Sequence, residues 1–362
     1  MVFKRMKIEE WFDSYQYEVD YDIGESGVKF LKFSSLNLDL GDLPLRYGHH
    51  RGSPELRELI AQDYEDFSPD QIAVTNGASE ANFAVIASLV GPSDHVIVEH
   101  PNYPSLYEVP KSLNRRTHLL HLSFEEKFKP NLEKLESLIT PQTKLIILTH
   151  PNNPTGSMIT EKMLYAIIKI VEKHNVYLLL DETYRELSFN KPLPPAATLS
   201  PHAISITSMS KVYGLPGIRI GWVAADKSII ERVRAVREQL TICNCVISEE
   251  IAKTVLRRKQ EFLKDIKQKV AINYEILESW MRNQEDLEWV PPEGGVVCFP
   301  MLRVEVPTDD LCRILVKKYR TFVVPGYCFE MSRHLRIGFG GETSELRRGL
   351  SNMNKALKEI KI

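Results

Sequence analysis

The chain has 362 residues, enough for two domains or one large one, and its 43% hydrophobic and 26% charged content suits a globular protein with a sizeable core. Its 46 Lys and Arg against 48 Asp and Glu leave a formal charge of −2, which excludes the electrostatic footprint of a nucleic-acid or anionic-membrane binder. The apolar runs fall far short of the roughly 20 residues that span a bilayer. Residues 1–10 carry basic residues with no apolar core after them, which argues against a secretory signal. The five cysteines, Cys243, Cys245, Cys298, Cys312 and Cys328, are an odd count in a chain too large to need staples, and they read as reduced thiols in the cytosol.

The first 40 or so residues are weakly patterned. Residues 80–89 follow a capping signal and predict a helix, and residues 160–174 predict another, with apolar Met163, Leu164, Ile167, Ile168 and Val171 on one face. Short continuous apolar runs at 96–98, 145–148, 176–180, 203–206 and 218–223 predict strands buried on both faces of a sheet. Strand and helix in alternation imply an α/β fold, a mostly parallel sheet sandwiched by helices with right-handed crossovers. From about Ser248 the pattern changes. Residues 249–283 read as one or two long charged helices, followed by short segments at 296–299, 321–324 and 335–339 and a last helix from Ser344. This predicts a large α/β domain over 39–275 and a smaller α+β domain built from 1–38 and 276–362.

Ligands of open α/β sheets bind beyond the carboxyl ends of the strands. Unusual polar residues follow three successive runs here: Thr149-His150-Pro151-Asn152-Asn153-Pro154-Thr155-Gly156, then Asp181-Glu182-Thr183-Tyr184, then Ser208-Met209-Ser210-Lys211 with Gly214-Leu215-Pro216-Gly217-Ile218-Arg219 beyond. Thr75-Asn76-Gly77-Ala78-Ser79-Glu80 joins an expected strand end to a helix start, where backbone N–H groups form an anion site. Taken singly, each residue has a plainer reading. Lys211 could be a solvated lysine, Asp181 or Ser79 a helix cap, Asn153 a turn former, Tyr184 and Tyr103 packed tyrosines, Arg336 a salt-bridge arginine and Tyr47 a loop tyrosine.

Together, from Tyr47 to Arg336, these residues resemble the class I/II aminotransferases, pyridoxal phosphate (PLP) enzymes of fold type I. The segment from Ser208 to Arg219, with Lys211 and Arg219 eight apart, is the most specific part. The resemblance implies that Lys211 forms the Schiff base with PLP and acts as general base and acid. It implies that Asp181 faces the pyridine nitrogen, that Tyr184 and Asn153 hydrogen-bond the phenolic oxygen, and that Tyr103 stacks on the ring, with nearby Tyr107 as the other choice. Gly77, Ala78, Ser79, Ser208 and Arg219 would hold the phosphate, and Arg336 the substrate carboxylate, with Asn153 beside it. Tyr47, five residues before Gly52, would reach the active site of a neighbouring subunit, which implies a homodimer with composite sites.

The implied activity is ping-pong transfer of an amino group between an L-amino acid and a 2-oxo acid, in the cytoplasm, with no nucleic acid, membrane or metal involved. A second reading stays open. Residues 22–28, residues 46–52 and the ending Gly-Phe-Gly-Gly look like the capreomycidine synthase branch, whose members use PLP to cyclise an arginine derivative. His49, His50 and Arg51 are candidates to line the pocket and favour an acidic or polar side chain, or else a solvated loop. Adjacent histidine side chains diverge, which argues against a metal. Cys243 and Cys245 read as two buried, inert thiols. The chain carries neither the glycine fingerprint of a dinucleotide binder nor a nucleoside-triphosphate loop.

Overall fold

The computed structural model describes residues 3–303 and 307–360; residues 1–2, 304–306 and 361–362, all within the segments assigned to the smaller domain, lie outside it. The chain opens with helix α1 (Lys7–Tyr15) and a short strand β1 (Tyr21–Asp22), then helix α2 (Pro54–Ala61). The central sheet follows: β2 (Ile72–Thr75), β3 (His95–His100), β4 (Arg116–His121), β5 (Thr143–Thr149), β6 (Tyr177–Asp181), β7 (Ala203–Ser208) and β8 (Gly221–Ala224). Its strand order is β2-β8-β7-β6-β5-β3-β4. The pairs among β3, β4, β5, β6 and β7 are parallel, and β8 runs antiparallel to both neighbours. The fold is thus α/β with a mostly parallel sheet.

Alternate residues of each strand feed opposite cores, as a pleated strand requires. Val96, Val98, Leu145, Ile147, Leu179 and Ile204 pack beneath helices α3 (Gly77–Leu89), α4 (Ser105–Ser112) and the later helix over Lys227–Leu240. Ile97, Ile146, Leu148, Leu178 and Leu180 face the other side, under the helices over Leu132–Ser137 (α5) and Glu161–His174 (α6). Both faces are covered, which is why the strands read as unbroken apolar runs. Helix α6 is capped as its sequence suggests: the Thr160 hydroxyl accepts from Met163 N at 3.2 Å, and Asn175 closes it in the left-handed conformation.

Two elements differ from the sequence reading. The run 218–223 is not one strand: Pro216–Ile218 form a 3-10 turn, Arg219 takes φ 54°, and β8 starts only at Gly221. The helix expected at 80–89 begins three residues earlier, at Gly77. The Asn76 N–H is held by the Glu80 carboxylate rather than by a side-chain cap at Asn76. Strand β4 and helices α1, α2, α4 and α5, with that over Lys227–Leu240 (α7), add to the elements foreseen.

Beyond the sheet, the charged stretch divides at Arg258 into α8 (Val246–Arg257) and α9 (Lys259–Arg282). Short strands at Val297–Cys298, Leu335–Gly338 and Val324–Pro325 form a three-stranded antiparallel sheet, flanked by α10 (Thr308–Tyr319) and α11 (Thr343–Ile360). Strand β1 pairs in parallel with Thr321–Phe322, so the chain's beginning is laced to its end. We propose the same division into 39–275 and 1–38 with 276–362, with α9 as the element that crosses between them.

Candidate active site

The carboxyl ends of β2, β5, β6 and β7 converge on a cavity of about 290 Å³. Lys211 lies just past β7, half-buried in the cavity wall. Its Nζ donates to Glu25 Oε1 at 2.7 Å. Burial alone would lower the amine's pKa, but the Glu25 carboxylate, with Tyr184, outweighs it and the net shift is upward. For Glu25 the balance is the mirror image: burial would raise it, and the Lys211 ammonium with Arg336 brings it below the usual carboxylate range.

Asp181 closes β6 and is buried. Its Oδ2 accepts from Asn82 Nδ2 of α3 at 3.3 Å and its Oδ1 from Thr183 N at 3.0 Å. Burial still raises its pKa above the ordinary value. Tyr184 is buried in the same wall, its hydroxyl kept neutral chiefly by desolvation. Tyr103 lines the cavity and donates from its hydroxyl to Glu9 Oε1 at 2.8 Å, whereas Tyr107 is packed in the core against His100 and Leu106. That settles which of the two tyrosines faces the cavity.

Arg336 stands on the strand Leu335–Gly338 and is 1% exposed. Nη1 donates to Asn153 Oδ1 at 3.0 Å and Nη2 to Gly24 O at 2.8 Å. The pairing spends the Asn153 oxygen and leaves its Nδ2 donors for a ligand. At the opposite end, Ala78, Ser79, Ser208 and Arg219 share the wall. Gly77 takes φ +78°, and a Cβ there would lie 2.5 Å from Arg219 Nη2. Gly221 is equally tight, because its Cβ would meet Gly77 C at 2.6 Å and Ala78 N at 2.8 Å. The close approach of β8 to the α3 N-terminus demands glycine at both positions.

The sequence profile of the aminotransferase class I and II family matches residues 35–353. The chain belongs to that family. Its cofactor is pyridoxal 5'-phosphate. The chain is 27% identical to a capreomycidine synthase of Streptomyces vinaceus, over 97% of this chain and 93% of that one. It is 25% identical to an aspartate aminotransferase of Rhizobium meliloti, over 85% and 81% respectively. Among solved structures, a PLP-dependent aminotransferase from Streptococcus suis superimposes with a TM-score of 0.95 and 33% identity, covering 99% of both chains.

The residues present fit the cofactor. Asn82 Oδ1, Thr149 Oγ1 and Arg336 Nε, all on cavity residues, are buried without a hydrogen-bond partner among the described residues. The glycine-lined α3 N-terminus with Arg219 suits a phosphate, and the buried Asp181 suits a ring N–H.

Tyr47 is placed elsewhere. It is 80% exposed, in a separate depression with Arg46, Gly48, His49, Ser53 and Glu249, and forms no part of the Lys211 cavity of its own chain. His50 and Arg51 also lie outside that cavity; His50 pairs with Glu238, and Arg51 with Asp70 and Glu231. Within its own chain the His-His-Arg run lies outside the Lys211 cavity, as Tyr47 does. The two thiols expected to be buried are not: Cys245 is exposed and Cys243 half-buried, because this segment surfaces just before α8 begins.

Sequence reasoning passed over Glu9 and Glu25. The first lies in α1, whose Ile8, Glu9 and Phe12 form one wall, and the second in the 22–28 loop, noted only as a branch mark. A lone carboxylate in a weakly patterned segment gives no periodic signal. In the structure Asp22 holds this loop in an Asx turn, its Oδ1 accepting from Gly24 N at 2.9 Å and Glu25 N at 3.0 Å.

Proposed function

We propose that this enzyme of the class I/II family is an aminotransferase moving an amino group between an L-amino acid and a 2-oxo acid by ping-pong kinetics, as a cytoplasmic homodimer. The observation that carries the reading is that Lys211, Asp181, Tyr184, Asn153 and Arg336, remote in sequence, line one cavity. Lys211 would hold the cofactor covalently, Asp181 its ring nitrogen, Asn153 and Tyr184 its phenolic oxygen, and Gly77, Ala78, Ser79, Ser208 and Arg219 its phosphate, with Tyr103 against the ring.

When bound, the cofactor supplies an aldehyde that takes up an amino group and a ring that delocalises the electron pair left by the departing α-proton. The chain does the rest. The Arg336 fork grips the substrate carboxylate, and the Asn153 bond keeps that fork from rotating. Lys211 Nζ, as free amine, takes the α-proton and holds it as an ammonium against Glu25 Oε1, then returns it. Asp181, desolvated and tied by Asn82 and Thr183, keeps a proton on the ring nitrogen. Tyr47, exposed on its own chain, is the residue we assign to a neighbouring subunit's site.

A second reading, cyclisation or elimination on an arginine derivative, is favoured by the likeness to capreomycidine synthase along 97% of the chain. Adding amino acids to the PLP-loaded protein without any oxo acid separates the two. Transamination releases one equivalent of the matching 2-oxo acid per site and stops, with loss of the visible absorbance. Continued turnover to a cyclised product or ammonia contradicts it and supports the second reading.

A further inference from the structure

We infer that Glu99, which the chemistry above does not use, is a positioning residue that sets where Asn153 and Tyr103 stand in the cavity wall. The inference rests on the PLP roles proposed for those two residues and adds the group that holds them in place. Glu99 lies one residue before the end of β3, beside the strand β5 that leads into the Asn153 loop. It is 0% exposed and stands behind the lining of the Lys211 cavity rather than in it.

Its Oε1 gathers donors from two loops. Thr149 N donates to it at 2.5 Å, Asn152 Nδ2 at 3.0 Å and Asn102 Nδ2 at 3.3 Å. Asn102 Oδ1 in turn accepts from Tyr103 N at 2.8 Å, and Asn152 Nδ2 also donates to Pro101 O at 3.2 Å. One oxygen therefore joins the segment that bears Tyr103 to the segment that bears Asn153. Asn152 closes its own loop as well, since its Oδ1 accepts from Thr155 Oγ1 at 2.8 Å.

A carboxylate shut away from water is costly to keep, and an apolar residue would pack at this strand end without that penalty. The second oxygen, Oε2, faces His150 Nε2 at 3.2 Å, and neither side chain is exposed. The His150 backbone N–H donates to Asp181 O at 3.1 Å, so the pair also abuts the end of β6. Arg336 holds the Asn153 side chain at 3.0 Å, while Glu99 holds the loop on either side of its neighbour Asn152 from the sheet. Two anchors of this kind fix a donor to the tolerance that a bound ring requires. Burial raises the Asp181 pKa and the Glu99 charge adds to that rise, so a charge acting at a distance is the rival account. It predicts the opposite sign in the test.

The test follows the visible absorbance of the PLP-loaded protein against pH, whose midpoint reports the proton on the Lys211 imine. A donor on the phenolic oxygen weakens that oxygen's hold on the imine proton, so losing the Asn153 donor raises the midpoint. Glu99→Ala should raise it by about half a pH unit or more, as should Asn153→Ala. Glu99→Gln, which keeps an acceptor oxygen, should move it less than half as far. In an Asn153→Ala background, Glu99→Ala should add nothing. If Glu99→Ala does not fold, Asn152→Ala removes one tie, keeps the carboxylate and must raise the midpoint in its place. Three results overturn the inference. They are a midpoint that the tested variant leaves unchanged, a fall shared equally by Glu99→Ala and Glu99→Gln, and a full further shift in the double variant. The first leaves Glu99 a purely structural role, seen as a lower melting temperature alone, and the second a charge effect. If Asn153→Ala moves the midpoint in those cases, the PLP reading stands and only the inference falls; if it does not, the role proposed for Asn153 falls with it.

Discussion

Gly77 and Arg219 are in such close contact that a Cβ on Gly77 would sit 2.5 Å from the Arg219 guanidinium. The pair joins the start of α3 to the turn before β8, and the left-handed Arg219 (φ 54°) makes the approach possible. Gly77→Ala adds strain at φ +78° and pushes the guanidinium away from the position we propose for the phosphate. We expect PLP to bind at least tenfold more weakly, measured by titrating the apo-protein with PLP and following the visible absorbance. Unchanged affinity would separate this loop from the phosphate.

Arg336→Lys tests the carboxylate grip. A lysine keeps the charge but not the fork, and it cannot reproduce donation to both Asn153 Oδ1 and Gly24 O in the guanidinium's geometry. An orphaned buried acceptor costs about 1–3 kcal/mol. The amino-acid concentration for half-conversion should rise at least tenfold, and the melting temperature should fall. Equal affinity for amino acids in the variant would remove Arg336 from substrate binding.

Glu182 gives the fold a pH dependence of its own. It is buried beneath the site, where its Oε1 accepts from Ala196 N at 2.7 Å and Ser205 Oγ at 2.8 Å. Burial pushes its pKa from 4.5 up to about 7, with Arg185 opposing the shift. Between these values the folded chain holds a proton that the unfolded chain has released. This group therefore stabilises the fold fully below 4.5, and its contribution is lost as pH rises toward 7. Glu182→Gln should flatten the fall in stability between pH 5 and 8 relative to the parent, read by urea unfolding at both pH values. A slope identical to the parent's would contradict the assignment.

Much of the site was legible because its residues follow apolar strands: Asn153, Asp181, Ser208 and Lys211 come within a few positions of β5, β6 and β7, and strand direction carries them to one edge. Strand β4, with Arg116, Thr117, His118 and His121 in its six residues, sits at the sheet edge and is only half covered, so it lacks an apolar run. Strand β2 is short, and only its end at Thr75 is marked in the sequence, by the glycine turn after it. Arg219 hid the start of β8, since a left-handed arginine carries no sequence mark. Glu9 and Glu25 were missed for a different reason: their place in the cavity depends on how α1 and the 22–28 loop pack against distant elements, as in the Tyr103–Glu9 and Lys211–Glu25 bonds.

The most direct measurement is the site of the cofactor's covalent bond. The PLP-loaded protein is reduced with borohydride, digested, and its peptides analysed by mass spectrometry. The adduct should lie on Lys211 alone, and Lys211→Ala should yield neither the adduct nor the visible absorbance of the imine. An adduct on another lysine, or one that survives in Lys211→Ala, would contradict the account.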